Sequence, residues 1–218
     1  MPAGTNLPYA FDKAGGVFVG GRCHLKEKLD LSDWKLAGCV VPESETAYRL
    51  GLLLGVIPGG IVSPSTLKMD YTTLETFHGG EFEGGLFLEH ATRLTTIEGP
   101  IKVGGSLSLR LAESLKEMTG EVTVGGWADL THCASLVRLP SPFVVGGKLY
   151  LTFCAALEVI PAGTRCQSLD ISGTGLTLEG LLGVSVEQEF IAWDCPGLKK
   201  APESEIRRVC GVSGKIWR

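Results

Sequence analysis

The segment Val103-Gly104-Gly105-Ser106-Leu107-Ser108-Leu109 returns as Val124-Gly125-Gly126-Trp127-Ala128-Asp129-Leu130 and again as Val145-Gly146-Gly147-Lys148-Leu149-Tyr150-Leu151, each time after 21 residues. A unit this short cannot bury its own apolar face, so a chain that repeats it must stack the copies into a solenoid. The register holds between the segments too. Leu94, Leu115, Leu136 and Leu157 form one series, Ile97, Met118, Leu139 and Ile160 another, and Pro140 and Pro161 follow the last two. Leu-x-Leu is an alternation of period two, which specifies a short strand. The later apolar pair, three residues apart and followed by Pro, suits a loose or 3₁₀ return. Gly-Gly before each strand supplies a corner that a side chain would obstruct.

With this template, further strand pairs fall at Leu86/Leu88, Leu67/Met69, Leu50/Leu52 and Leu29/Leu31, and later at Leu169/Ile171 and Phe190/Ala192. The sequence thus predicts about nine turns, one short parallel strand each, at spacings of 21, 17, 19, 21, 21, 21, 20 and 21 residues. Residues 27–202 form the solenoid in this reading. Residues 1–26 cap one end and residues 203–218 the other, with Pro202 and the acids after it opening a short helix.

The run from Leu149 to Pro161, Leu-x-Leu-x-x-Cys-x-x-Leu-x-x-Ile-Pro, resembles the leucine-rich-repeat family, and the Val-Gly-Gly lead-in resembles a variant found in bacterial and phage chains. The resemblance covers about residues 80–202 well and 25–80 loosely. It implies a curved parallel sheet on the concave side, binding across that sheet, and no enzyme activity. The family's usual inward asparagine is replaced by Ala91, Ala112, Cys133, Cys154 and, in the last turn, Cys195, so an amide ladder does not form. A parallel β-helix is the alternative fold; it wants further strands in each turn, which Pro140, Pro161 and Pro202 oppose on the return side.

Charge narrows the functional classes. The net charge is −4 and Lys and Arg form no run, so neither nucleic acid nor an anionic membrane is an expected partner. Met1–Pro8 has no basic n-region and no apolar h-region, so it does not read as a Sec signal; a cytoplasmic location is expected, with a non-Sec route into a host cell left open. The seven cysteines are odd in number and contain no CxxC pair, which favours buried free thiols over a disulfide framework or a zinc site. His90 and His132 share a repeat position two turns apart, about 9.5 Å, too far to hold one ion. No metal and no cofactor is expected.

The residues between and beside the inward Leu pair face outward on the strand side. They include Phe87, Arg110, Trp127, Asp129, Tyr150 and Trp193, aromatics among mixed charges, which is the composition of protein interfaces. Asp129 and Asp170 lie two strands apart with Tyr150 between, at the outer limit for a hydrolytic carboxylate pair. Gly173-Thr174-Gly175 and Gly211–Lys215 do not complete a phosphate-loop spacing. The expectation is therefore a non-enzymatic module recognising a protein partner across the strand face, in the manner of a bacterial effector or a phage-encoded inhibitor of a host protein. Two alternatives stand beside it. One is a structural solenoid that self-associates through its ends, with Lys215–Arg218 as an apolar anchor; the other is a carbohydrate-binding or hydrolytic face.

Overall fold

The computed structural model describes residues 16–19, 22–25, 61–63, 66–72 and 74–218. They form a parallel β-solenoid in which successive turns lie at hydrogen-bonding distance. The inward residue steps from Leu67 to Leu86, Leu107, Ala128, Leu149, Leu169 and Phe190, at intervals of 19, 21, 21, 21, 20 and 21 residues. The expected strands at Leu29/Leu31 and Leu50/Leu52, and with them the count of nine turns, lie outside the described residues.

The turns carry more strand than the expected single one. A first stack runs through Ile61–Ser63, Gly80–Phe82, Ile101–Val103, Val122–Val124 and Phe143–Val145. A second, the expected Leu-x-Leu stack, runs through Leu67–Lys68, Leu86–Phe87, Leu107–Ser108, Ala128–Asp129 and Lys148–Tyr150. A third joins Thr76–Phe77, Thr96–Ile97 and Glu117–Met118 on the return side. The Val-Gly-Gly lead-in thus has a strand of its own: Val103, Val124 and Val145 end first-stack strands and point inward, buried.

Proline determines where the third stack stops. Glu98 N–H donates to Phe77 O (2.7 Å) and Thr119 N–H to Ile97 O (2.8 Å). The equivalent residues in the next two turns are Pro140 and Pro161, which have no N–H to give. There the ladder shrinks to a single bridge between Arg138 and Val159. The argument from proline against return-side strands therefore holds only for the turns that contain it.

Glycine sets the corners between the first two stacks. A Cβ on Gly125 would lie 2.2 Å from Gly104 O, and one on Gly146 would lie 2.3 Å from Gly125 O. Where Cys166-Gln167-Ser168 takes the place of the Gly-Gly pair, the two stacks run together. Arg165–Asp170, containing Cys166-Gln167-Ser168, is one six-residue strand that pairs with both stacks. Ser185–Ile191 follows it, with a register shift between Cys166 and Ser168.

The interior is one continuous apolar cluster in which Leu86, Leu88, Leu107, Leu109, Leu130, Leu149 and Leu151 are fully buried. Each such side chain contributes about 1.5–3 kcal/mol through removal from water. The inward place that follows the second-stack strands holds thiol and hydroxyl groups bonded to backbone carbonyls. Cys133 Sγ donates to Leu109 O (3.2 Å), Cys154 Sγ to Leu130 O (3.1 Å), Thr174 Oγ1 to Ile171 O (2.8 Å) and Cys195 Sγ to the same carbonyl (3.0 Å). Cys133 and Cys154 are free thiols. Burial pushes Cys154 up to about 12 and Cys133 well above its ordinary value.

At one end the helix Glu203–Cys210 buries Ile206, Val209 and Cys210 against the last turn. Lys215–Trp217 then adds a parallel strand to Ser185–Ile191. At the other, Gly16–Val19 and Arg22–Leu25 pair antiparallel, and the second of them lies beside Ile61–Ser63. Among the described residues no helix is long and apolar enough to cross a membrane.

Candidate functional site

The parallel register converts the repeat into straight rows of side chains. One outward row on the second stack reads Lys68, Phe87, Ser108, Asp129, Tyr150, Asp170, Ile191 and Trp217. Successive members stand about 4.8 Å apart. Phe87, Asp129 and Tyr150 therefore share a row. Trp127 precedes it by one inward residue, and Arg110 and Trp193 follow it by one.

Phe87 and Trp127 belong to turns two steps apart, yet their rings meet edge to face at 6.0 Å. They close over the small side chains of the turn between, and Ser108 is fully buried although its position points outward. Its hydroxyl donates to Glu89 Oε1 at 2.8 Å. Cations lie over the aromatic rings, Lys68 Nζ 5.3 Å from the Phe87 centroid and Lys148 Nζ 4.6 Å from that of Tyr150. Lys148 also reaches Asp170 Oδ2 at 3.6 Å. Asp129 is fixed by the N–H of Thr131 (2.8 Å), and Asp170 by the N–H (3.1 Å) and hydroxyl (2.7 Å) of Ser172.

These groups are held rather than mobile, which lowers the entropy cost of binding to them. Arg110 is exposed and makes no ion pair among the described residues. Trp193 is half exposed and anchored by its N–H on Ser172 Oγ (3.1 Å), but lies two turns beyond Tyr150. The structure thus brings Phe87, Trp127, Asp129 and Tyr150 together and leaves Trp193 at the far end of the face.

Sequence reasoning missed the ridge beside this face. Tyr71, His90, Leu111, His132 and Phe153 occupy one repeat position and all have positive φ, between 56° and 62°. Tyr71 stacks on His90 with centroids 4.6 Å apart, and His132 on Phe153 at 4.8 Å. Tyr71 is 72% and Phe153 50% exposed. A large side chain in this left-handed conformation costs about 1–2 kcal/mol that Gly would avoid. Ring stacking returns about 0.5–1.5 kcal/mol per pair, and none at Leu111. The shared position of His90 and His132 was the available signal. The left-handed turn gave none, because Gly or Asn is its usual mark.

Trp217, in the tail expected as an apolar anchor, extends the Phe87–Tyr150 row, its indole N–H directed at Glu189 Oε1 (3.4 Å). Away from the strand face, a cleft of about 160 Å³ lies beside His78, Glu81, Lys102 and Glu121. It is smaller than the roughly 300–1,000 Å³ of small-molecule sites. Among the described residues no three His, Cys, Asp or Glu side chains are grouped to hold a metal ion.

Compared with protein-family models, with curated proteins and with solved structures, the chain matched none.

Proposed function

We propose that this chain is a non-enzymatic recognition module that binds a protein partner across its strand face. The observation that carries the reading is the preorganised aromatic group of Phe87, Trp127 and Tyr150, set among cations and fixed carboxylates on a rigid parallel sheet. Large aromatic side chains already held in place lose little freedom on binding and supply most of the energy of typical interfaces. Arg110 adds an uncompensated cation to the same surface, and the Tyr71–Phe153 ridge widens it by one row.

The leucine-rich-repeat assignment and the nine-turn extent belong to this proposal. The Leu-x-Leu register and the inward cysteines favour them, while the added strands bring the turn closer to a β-helix. A solenoid of this kind suits an effector or an inhibitor working on a host protein in the cytoplasm.

The test is affinity capture from host-cell lysate with the wild type and with Trp127→Ala/Tyr150→Ala. One stoichiometric partner held by the wild type and lost by the folded double variant supports the reading. A partner retained by the variant refutes it.

A further inference from the structure

At one end of the solenoid the strand Lys215–Trp217 pairs in parallel with Ser185–Ile191 and with no other strand among the described residues. Ala192 N–H donates to Trp217 O (2.8 Å), and Ser213 N–H donates to Val186 O (3.0 Å). Residues 213 and 217 thus turn their peptide groups toward the neighbouring strand, and in a parallel ladder the alternate residue turns its own the other way. The N–H and C=O of Ile216 are therefore directed outward along the edge. Its side chain is in register with Phe190 and packs half-buried against the core, while Lys215 and Trp217 beside it are exposed. Such an edge is a template on which a further strand can form.

Charge selects which strand. Residues 199–218 hold 6 Lys and Arg against 2 Asp and Glu, and both acids are spent on the helix: Glu203 pairs with Arg207 (2.7 Å) and Glu205 with Arg208 (3.6 Å). Lys199, Lys200, Lys215 and Arg218 are exposed and in no ion pair among the described residues, and Arg218 donates to Ala201 O, which holds residue 218 near Lys199 and Lys200. Of the nearby carboxylates in the preceding turn, Glu189 accepts the Trp217 indole N–H, while Glu187 and Asp194 are exposed and unpaired. Four unpaired cations face two unpaired acids, so the edge keeps an excess of positive charge. We infer that it receives an extended segment of a partner protein as an added strand, one that alternates acidic and apolar residues. The acidic side chains then stand beside Lys215 and its neighbouring cations, and the apolar ones continue the inward line of Phe190 and Ile216. The same cations repel the equivalent edge of a second copy, which disfavours pairing with itself. Trp217 lies three strands beyond Tyr150, so this contact and the aromatic group of the strand face stand or fall separately.

Residue-resolved hydrogen exchange on the full chain, with a synthetic peptide of alternating Glu and Val as the probe, reads this directly. In the chain alone the Ile216 amide exchanges freely; with the peptide it slows about tenfold or more. A peptide of alternating Lys and Val binds about tenfold or more weakly. A Glu–Val peptide with an N-methylated backbone keeps the charge but gives no protection, because it cannot complete the ladder. In Lys200→Glu/Lys215→Glu the preference turns toward the Lys–Val peptide, which separates lost attraction from lost fold. An Ile216 amide that exchanges as fast with about 1 mM Glu–Val peptide as without it overturns the inference. Protection of that amide before any peptide is added, or equal protection by the Lys–Val or N-methylated peptide, overturns it too.

Discussion

Gly125→Ala tests the close stacking of the turns at a glycine corner. The new Cβ would lie 2.2 Å from Gly104 O, and real Cβ contacts do not fall below 3.0 Å, so the two backbones must part by about 0.8 Å (3.0 − 2.2). The bond from Gly125 N–H to Val103 O is 2.8 Å and that from Gly126 N–H to Gly105 O is 2.7 Å. Stretched by that amount they reach about 3.6 and 3.5 Å, where neither is an effective hydrogen bond. Two ladder bonds lost between packed turns cost about 2–3 kcal/mol. Gly175→Ala is the internal control, since a Cβ there meets nothing within 4 Å and its φ is outside the left-handed region. It should be neutral or stabilise by up to about 0.5 kcal/mol through the unfolded chain. Chemical denaturation followed by circular dichroism compares them. Two variants within about 0.5 kcal/mol of each other would refute the close approach of the corners.

Pro140→Val supplies the missing N–H opposite Met118 O, and one more slowly exchanging amide should appear there by hydrogen exchange; an unprotected residue 140 would contradict the explanation of the broken third stack. Arg207 donates to Val212 O (3.2 Å) and Gly214 O (2.7 Å), so Arg207→Ala should loosen the strand Lys215–Trp217 by about 1–3 kcal/mol. Limited proteolysis near residue 214 checks this, and an unchanged cleavage rate counts against it. Burial pushes the thiols of Cys154, Cys166 and Cys210 up to about 12, so folding favours their protonated form. That stability is whole below about pH 9, the unfolded value, and drains away between about pH 9 and pH 12. The melting temperature should therefore fall between about pH 8 and pH 10.5, and fall less in Cys166→Ala. The same five buried cysteines, Cys133 and Cys195 included, should resist thiol reagents until the chain unfolds.

The sequence made the second stack legible because its signal is local. Leu-x-Leu with a 21-residue return fixes both the strand and the side of each residue, and Leu86 through Leu151 are buried as that pattern requires. The first and third stacks were harder to see. Val-Gly-Gly looks like a corner alone, and the value of Ile97 or Met118 as strand residues depends on an N–H in the next turn, which is a property of the stacked pair. The candidate face was legible in part for the same reason. Alternation showed that Phe87 and Tyr150 point outward, but not that Trp127 would reach across a whole turn to the Phe87 ring. Trp217 escaped because no repeat residues precede it; its place in the row comes from a strand pairing across the chain reversal at 211–214.

The most direct test of the recognition face is the affinity of the captured partner for two double variants matched in exposed apolar side chains. One, Trp127→Ala/Tyr150→Ala, strips the strand face; the other, Val137→Ser/Val159→Ser, strips the return side, where both valines are at least 36% exposed. The expected result is a loss of about a hundredfold or more, some 3 kcal/mol, for the strand-face variant and a change of less than about threefold for the other. Equal losses in the two, or a larger loss on the return side, would contradict the assignment of the strand face as the binding surface.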